Sequence, residues 1–473
     1  MSFPADEPVG RGSALYRRGV GFFKATDKDA IARRAGAAAL IIRVASAGLA
    51  YVAQVVFARL MGQFEYGVFA YTWVWFLVFS AVATLGFGDS PVRYIAQLRE
   101  RGETAYLRGF LRFAALVITV ASVAFAALLV VVLPIADRFI DHAYLMPMAL
   151  MAISIPFACL QSFFEGVGRS YNWTLPALLP VYIIRHGLLL AIMAGAVALG
   201  VEATAVNAFI CLVLTMVLSI AYQATAILRR LRHVVDPGPT AYRSKEWLRG
   251  SSPFAVLYGA QHLSSFADVL VLSFFVSPAE IAIYFAATRI MQVVNLVPYA
   301  ATVGTAHLFS ASFTRGDYTD LQRLVRHVVV TNFIIAAIAV GILFAVGDWL
   351  LGMFGNGFEA GYLPLVILGA GVLARVAAGP VEDMLNMTGH GGVSAWTYIG
   401  AVVVNVALSL ILIGPFGLNG AAFAAAVSLV LKSLLMSIAV RRRLGVRTSI
   451  VSAALTWFSA LGTRESHLRT PAE

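Results

Sequence analysis

Twelve long apolar segments recur along the chain and limit what it can fold into. A membrane helix needs about 20 mainly apolar residues to cross about 30 Å of hydrocarbon, and every segment reaches that length. The segments cover residues 36–61, 66–88, 109–134, 143–164, 173–198, 204–228, 251–276, 281–308, 325–352, 361–383, 393–415 and 418–440. Only 12% of the residues are charged, against about 25% in soluble proteins. The sequence therefore predicts an all-α integral membrane protein with about twelve transmembrane helices.

Other classes of protein fit the sequence less well. The segments lack the alternation, about ten residues per strand, that is typical of an outer-membrane barrel. The two cysteines, Cys159 and Cys211, both lie in apolar runs, which argues against a disulfide scaffold or a cysteine-bound metal. We therefore expect no metal and no cofactor. One further apolar run, residues 452–461, is too short to span a membrane, and we expect it to lie at the interface.

The positive charges indicate the orientation of the chain. Of the 35 lysines and arginines, 27 fall in the two tails and in the loops that follow the second, fourth, sixth and eighth segments. The opposite loops hold only Arg138. Because cytoplasmic loops carry the excess of Lys and Arg, both termini are predicted to be cytoplasmic.

The net charge of +11 could also indicate a nucleic-acid-binding protein, but the distribution of the charge argues against this class. The charge is spread over six loops and tails and forms no basic and aromatic stripe of the kind that binds nucleic acid. We expect no nucleic-acid partner. Contact with anionic membrane lipids is expected instead.

A long polar connection divides the twelve segments six and six. The sequence predicts five regions: a cytoplasmic tail (1–35), a first six-helix lobe (36–228), a basic linker (229–250), a second six-helix lobe (251–441) and a cytoplasmic tail (442–473). A weak repeat supports duplication, because Glu65-Tyr66-Gly67-Val68-Phe69-Ala70 opens the second segment and Glu280-Ile281-Ala282-Ile283-Tyr284-Phe285 opens the eighth. Paired six-helix lobes are typical of alternating access around a central cavity.

Polar residues recur at helical spacing within three of the apolar segments. One stripe runs along the seventh segment, at Gln261, Ser264, Ser265 and Asp268. Another runs along the eighth, at Thr288, Gln292, Asn295 and Tyr299, with Arg289 beside it. The first segment carries Arg43, Ala47, Ala50 and Gln54. Because charged and polar side chains avoid lipid, these faces are predicted to point inward.

The chemistry of the stripes suits an anionic ligand rich in hydroxyl groups. Arginine binds phosphate or carboxylate through two hydrogen bonds, and amides and hydroxyls bond to sugar hydroxyls. The candidate substrate-binding residues are Arg43, Gln54, Gln261, Asp268, Arg289, Gln292 and Asn295.

Structural interpretations of the same residues stay open. Each stripe is also consistent with a helix–helix contact held by hydrogen bonds. Asp268 and Arg289 are equally consistent with a structural ion pair, and Arg185 with a core pair to His186. Two further deep cations, Arg375 and Lys432, could contact lipid phosphate or their own lobe.

Signatures of catalysis are missing from the sequence. There is no G-x-x-x-x-G-K-[ST] phosphate loop, no H-E-x-x-H and no G-x-S-x-G motif. No loop is long enough to hold a catalytic domain. The sequence favours a transporter over an enzyme.

Four motifs carry a resemblance to a known family. Arg59-Leu60-Met61-Gly62-Gln63-Phe64-Glu65-Tyr66-Gly67 resembles the turn between the first two helices of bacterial polysaccharide flippases. Gly86-Phe87-Gly88-Asp89-Ser90 with Val92-Arg93-Tyr94-Ile95-Ala96 resembles their second-helix exit, and Glu165-Gly166-Val167-Gly168-Arg169 their fourth-loop pattern. The region from Asp268 to Arg289 is similar to their seventh and eighth helices. The similarity covers residues 36–441, in the polysaccharide branch of the multidrug/oligosaccharidyl-lipid/polysaccharide exporter (MOP) superfamily.

The resemblance implies a fold and a function. The fold is two pseudo-repeated six-helix lobes around a central cavity, with Arg43, Asp268 and Arg289 on cavity-lining helices. The function is translocation of polyprenyl-diphosphate-linked oligosaccharides across the inner membrane, for lipopolysaccharide or exopolysaccharide biosynthesis. Partners would be the lipid-linked substrate and other polysaccharide assembly proteins. Coupling to an ion gradient would use Asp268.

Two alternatives remain at this point. One is an ion-coupled antiporter of drugs or organic cations from the same superfamily, although deep arginines outnumber deep acids in this chain. The other is a membrane polysaccharide polymerase or ligase, a class that usually needs a large periplasmic loop.

Overall fold

Helices make up almost all of the chain that the structure describes. The computed structural model describes residues 28–138, 141–303, 309, 312–313, 315–450 and 452, and this part of the chain contains no strand. The helices are α1 (Lys28–Ala83), α2 (Ser90–Glu100), α3 (Thr104–Ala136), α4 (Leu145–Ser170), α5 (Thr174–Leu179), α6 (Arg185–Ala198), α7 (Ala205–Arg232), α8 (Ser244–Leu272), α9 (Pro278–Val303), α10 (Tyr318–Gly352), α11 (Tyr362–Ala377), α12 (Val381–Met387) and α13 (Gly391–Leu444). A π-helical segment, Pro180–Ile184, joins α5 to α6.

The number of spans agrees with the sequence. Within the described residues, nine helical stretches are long and apolar enough to cross a membrane. Two of them, in α1 and α13, are each divided by a glycine with non-helical backbone, Gly62 at φ 73° and Gly417 at φ 54°. Glycine adopts positive φ without the steric penalty of a Cβ atom. With α9, whose 26 residues extend about 39 Å, the spans number twelve, so the predicted fold class is confirmed.

The two halves of the chain meet along the second arm of α1, residues 63–83, which packs against α8 and α9. We call this contact the seam. Gly67 lies so close to α9 that a Cβ atom there would come within 1.7 Å of the Pro278 carbonyl oxygen. At the other end of the arm, a Cβ on Gly86 would come within 1.9 Å of the Ser251 carbonyl oxygen. Glycine at these two positions lets the backbones of the two halves touch.

One end of the seam is closed by aromatic side chains and by hydrogen bonds from the first half to the second. The fully buried Tyr66 ring contacts Phe285, Phe354 and Phe358. Beside it, Arg59 Nε donates to the Met353 carbonyl at 2.6 Å. We call the opposite side, where α2 and the ends of α7 and α13 lie, the basic face. These contacts close the seam on the side away from the basic face, and the close approach at Gly86 joins the two halves on the basic side as well.

Several helix ends differ from their predicted positions. The non-helical part of the central connection is only residues 233–243, because α7 continues to Arg232 and α8 begins at Ser244. The tenth span ends at Ala377, earlier than predicted, because Gly379 adopts φ 90° and Pro380 follows it. Proline lacks the N–H that would continue the helix. The short apolar run at 452–461 lies outside the described residues apart from Ser452.

The close approach at Gly67 makes a testable prediction about stability. Gly67→Ala places a methyl group against the Pro278 carbonyl, and overpacking of this kind destabilises by about 1–3 kcal/mol. Gly341→Ala is the matched control, because Gly341 lies inside α10 and a Cβ atom there would meet nothing within 4 Å. Thermal unfolding in detergent should show a lower midpoint for Gly67→Ala only. Equal midpoints would contradict the packing of the seam.

Candidate functional site

The predicted carboxylate of the seventh span lies inside the seam. Asp268 is 4% exposed on α8, and its Oδ2 accepts a hydrogen bond from the hydroxyl of Tyr284 on α9. Among the described residues no ion pair joins Asp268 to Arg289. The structural ion pair that the sequence left open is therefore absent from this structure. A tyrosine hydroxyl, which is a neutral donor, takes the place of the arginine.

Arg289 is buried one turn further along α9, at 9% exposure. Its guanidinium carbon lies 4.1 Å from the ring centre of Phe285 and 5.3 Å from that of Phe266. One nitrogen, Nη1, donates to Gln292 Oε1 at 3.0 Å, whereas Nε and Nη2 are buried and have no hydrogen-bond partner. A buried cation with unsatisfied donors is unfavourable unless an anion pairs with it. Among the seam residues, Arg289 is therefore the one that binding of an anionic ligand would stabilise most.

Gln54 has a partner within its own lobe. It is 9% exposed, and its Oε1 accepts a hydrogen bond from the Tyr66 hydroxyl at 2.9 Å. Because Gln54 lies on the first arm of α1 and Tyr66 on the second, this bond holds the two arms together. The geometry gives Gln54 a structural contact, and its predicted contact with substrate stays a prediction.

A second polar network lies in the C-terminal half, around Glu382 of α12. Glu382 Oε1 accepts from Gln261 Nε2 at 2.9 Å, and Glu382 Oε2 accepts from the Tyr398 hydroxyl at 2.7 Å. The Lys432 ammonium lies 4.2 Å from the centre of the Tyr398 ring. Three helices of this half, α8, α12 and α13, therefore meet at one carboxylate.

Asn295 and Arg375, which the sequence analysis singled out, bond to each other in the same half. Asn295 Oδ1 accepts from Arg375 Nη2 at 2.8 Å, which joins α9 to α11. Asp383 lies beside Glu382 on α12, outside the spanning helices, where burial and the neighbouring carboxylate raise its pKa to about 6. Gln292, by contrast, is exposed, and its Oε1 bonds to Arg289 of its own helix.

Arg43 belongs to a third cluster, in the N-terminal half. Its guanidinium carbon lies 5.2 Å from the centre of the Tyr182 ring. Near it, Arg169 Nη1 lies 3.1 Å from Asp89 Oδ1 and 3.9 Å from Glu165 Oε1. The acids at 89 and 165 thus bind a basic side chain of their own half.

The backbone beside this cluster departs from a regular α-helix. Pro180 has no N–H, and the helix passes through a π-helical turn before Arg185. Polar side chains bond to the backbone here: Ser219 Oγ donates to the Pro180 carbonyl at 3.1 Å and Gln223 Nε2 to the Ala177 carbonyl at 3.0 Å. Arg185 Nε is buried without a partner. π-helical turns frequently mark functional sites.

A cavity of about 450 Å³ opens on the basic face where α2 meets the start of α8. Its charged lining residues are Arg93, Lys245, Arg249 and Glu246. The Tyr94 hydroxyl donates to the Glu246 carbonyl at 3.4 Å and so ties α2 to α8. Gly250 permits this contact, because a Cβ atom there would come within 1.9 Å of the Tyr94 oxygen.

The tyrosines that bind the predicted polar residues were missed in reasoning from the sequence. Tyr66, Tyr182, Tyr284 and Tyr398 contact Gln54, Arg43, Asp268 and Gln261, respectively. The signal was present for two of them, since Tyr66 and Tyr284 both belong to the repeated segments that open the second and eighth spans. The side chain of Tyr299, at the end of the eighth-span stripe, is outside the described part of the structure.

The chain matches a known family over most of its N-terminal half and beyond. Residues 33–306 match the family described as polysaccharide biosynthesis protein. The match covers more than half of the 473 residues, so the chain belongs to this family, and the resemblance found in its motifs is confirmed. No curated protein matches the chain.

Solved structures with the same fold are MOP-superfamily proteins. An inward-facing multidrug resistance transporter of the MATE family aligns with a TM-score of 0.71 at 15% identity, over 88% of this chain and 99% of that one. The lipid II flippase MurJ, in an inward closed conformation, aligns with a TM-score of 0.68 at 14% identity, over 85% and 87%. A MOP transporter from Pyrococcus furiosus aligns with a TM-score of 0.64 at 14% identity, over 93% and 99%. The chain therefore has the MOP fold and is a multi-pass membrane protein.

The bond between Gln54 and Tyr66 can be tested by a double-mutant cycle. Tyr66→Phe removes the donor and leaves the buried Gln54 oxygen unpaired, which should destabilise by about 1–3 kcal/mol. Adding Gln54→Leu to that variant should recover part of the loss, because neither partner then needs a hydrogen bond. Unfolding in detergent gives the four stabilities. Strict additivity of the two single changes would show that the bond contributes nothing.

Proposed function

We propose that the protein is a flippase that moves polyprenyl-diphosphate-linked oligosaccharides across the bacterial inner membrane by alternating access. A diphosphate and sugar headgroup cannot enter hydrocarbon without strong compensation for its lost hydration. A protein that carries it must offer cations and hydrogen-bond donors at membrane depth. The family match supports the proposed function, and a buried arginine of this chain supplies a cation of the kind required.

The observation that carries the proposal is Arg289, buried at the seam with two unpaired guanidinium nitrogens. Nε and one Nη of an arginine form the fork that binds a phosphate through two parallel hydrogen bonds. Phe266 of α8 and Phe285 of α9 both contact the guanidinium, so little side-chain freedom remains to be lost on binding. A diphosphate at this position would satisfy both nitrogens and neutralise the buried charge.

The remaining predicted residues have supporting roles in this proposal. Gln292 and Asn295 lie on the same helix as Arg289 and would bind sugar hydroxyls. Arg43 would attract the headgroup from the N-terminal half, and Gln261 from the C-terminal half. Gln261, Gln292 and Asn295 would exchange the hydrogen bonds described above for bonds to substrate.

We further propose that the basic face is cytoplasmic, so both termini lie in the cytoplasm. The excess of Lys and Arg on that side supports this orientation. The seam, which is closed on the opposite side, would then be closed toward the periplasm. The cavity around Arg93, Lys245 and Arg249 would be the first contact for a diphosphate that arrives from the cytoplasmic leaflet.

A reconstitution assay tests the function directly. The purified protein is placed in liposomes with a fluorescent polyprenyl-diphosphate oligosaccharide, and an impermeant quencher reports how much headgroup reaches the outer leaflet. Arg289→Gln should slow translocation at least about tenfold, since one charge-assisted hydrogen bond is worth about 1.5–3 kcal/mol. Arg289→Lys should restore part of the rate, because lysine keeps the charge but not the fork.

Arg229→Gln is the matched control for this assay, because Arg229 is exposed at the end of α7 and its loss removes the same charge. Equal rates for Arg289→Gln and Arg229→Gln would contradict the role of the seam. If the wild-type protein moves no headgroup and instead exchanges protons for organic cations, the protein is a multidrug antiporter and the proposed function is wrong.

We also propose that Asp268 couples transport to an ion gradient. Its carboxylate is buried at the seam and bonded to one tyrosine hydroxyl, so a change in its charge would alter the contact between α8 and α9. In liposomes with an imposed proton gradient, Asp268→Asn should remove the dependence of the rate on the gradient. Glu382→Gln is the matched control and should retain it. Dependence that survives Asp268→Asn would exclude this residue as the coupling group.

A further inference from the structure

A second cavity, of about 390 Å³, lies on the basic face of the C-terminal half, away from the seam. Its lining residues come from two segments, the start of α10 and the segment that follows α13, and are Thr319, Gln322, Arg323, Arg326, Gly445, Arg447, Thr448, Ser449 and Ser452. Three of the nine are arginines and none is acidic. The proposed transport function uses none of these residues.

The α10 side of the cavity is a single helix face. Thr319, Gln322, Arg323 and Arg326 lie at i, i+3, i+4 and i+7, which places their side chains in one row. The two acids at the start of the helix are engaged elsewhere. Asp317 Oδ1 accepts from the Asp320 N–H, and Asp320 Oδ2 accepts from Ser312 Oγ at 2.8 Å and lies 3.5 Å from Arg315.

The other side of the cavity is held in place by Gln322. Its Nε2 donates to the Arg447 carbonyl at 2.7 Å and its Oε1 accepts from the Arg447 N–H at 2.8 Å. Val446 and Thr448, on either side of Arg447, are each 2% exposed. Arg447 itself is exposed and lines the cavity. The third arginine is thus fixed opposite the two on α10.

We infer that this cavity binds a phosphate-bearing anion. Like charges that converge in one cavity repel one another, and an anion removes that repulsion while the hydroxyls of Thr319 and Ser449 supply further donors. The volume suits a small ligand. Basic cavities at the ends of membrane helices bind the head groups of anionic lipids, and a free phosphate in solution has the same chemistry.

The test compares the two sources of phosphate on the full-length protein. Native mass spectrometry from nanodiscs of phosphatidylcholine and phosphatidylglycerol measures retained anionic lipid, and thermal shift in detergent measures the effect of inorganic phosphate. The variant Arg323→Gln/Arg326→Gln/Arg447→Gln should weaken binding at least about tenfold relative to wild type. The control Arg229→Gln/Arg230→Gln/Arg232→Gln removes three charges from the basic face of the other half and should bind like wild type.

Each result decides the inference. Loss of retained phosphatidylglycerol in the cavity variant alone supports a lipid headgroup site, and loss of the phosphate-induced shift in that variant alone supports a soluble ligand. Equal loss in the control, or no binding by wild type in either assay, overturns the inference. If the triple variant does not fold, Arg447→Gln alone should weaken binding about threefold or more, because Arg447 lies outside the helices. These assays need no transport and are independent of the proposed function.

Discussion

The hydrocarbon interior provides no water to hydrogen-bond the backbone, so a spanning chain must satisfy its own peptide groups. This requirement produces helices over almost the whole described chain, and it also determines where they can break. The break at Pro180–Ile184 is accompanied by Ser219 and Gln223, whose side chains bond to neighbouring carbonyls. Gly62 and Gly417 divide the two longest helices at positions where glycine relieves the steric cost of positive φ.

The same lack of water explains why the polar side chains of the seam are paired with tyrosines. A tyrosine contributes a hydroxyl to bond with and a ring that packs against apolar neighbours. Tyr66 bonds to Gln54 and packs against Phe285 of the other half, so it serves the interior of one lobe and the contact between lobes. Tyr284 donates a hydrogen bond to Asp268, and because its hydroxyl is neutral it adds no charge. Each lobe thereby provides a hydrogen-bond donor to a polar group whose burial in lipid would be unfavourable.

Segment length and charge placement were enough to predict the class of fold. The thickness of the hydrocarbon sets the length of each apolar segment, and the cost of burying charge in it confines most charges to the loops. The partners of individual residues were not predictable. Asp268 and Arg289 carry opposite charges on adjacent helices, which suggested an ion pair, but the rotation of α8 against α9 places Tyr284 at the carboxylate instead. Helical spacing reports which residues of one helix share a face. It does not report how two helices are rotated against each other, which depends on the packing of side chains between them.

The contrast between Arg289 and the other deep cations bears on how a carrier of this fold would work. Arg375 bonds to Asn295 and Lys432 lies on the ring of Tyr398, so both are stabilised within one lobe. Arg289 lies where the lobes meet and keeps two buried nitrogens unpaired. A closed seam that holds an unpaired cation is less stable than one that holds a cation and an anion together. Binding of an anion there would change the relative stability of the closed and open arrangements, and a ligand can drive a conformational change only through such a difference.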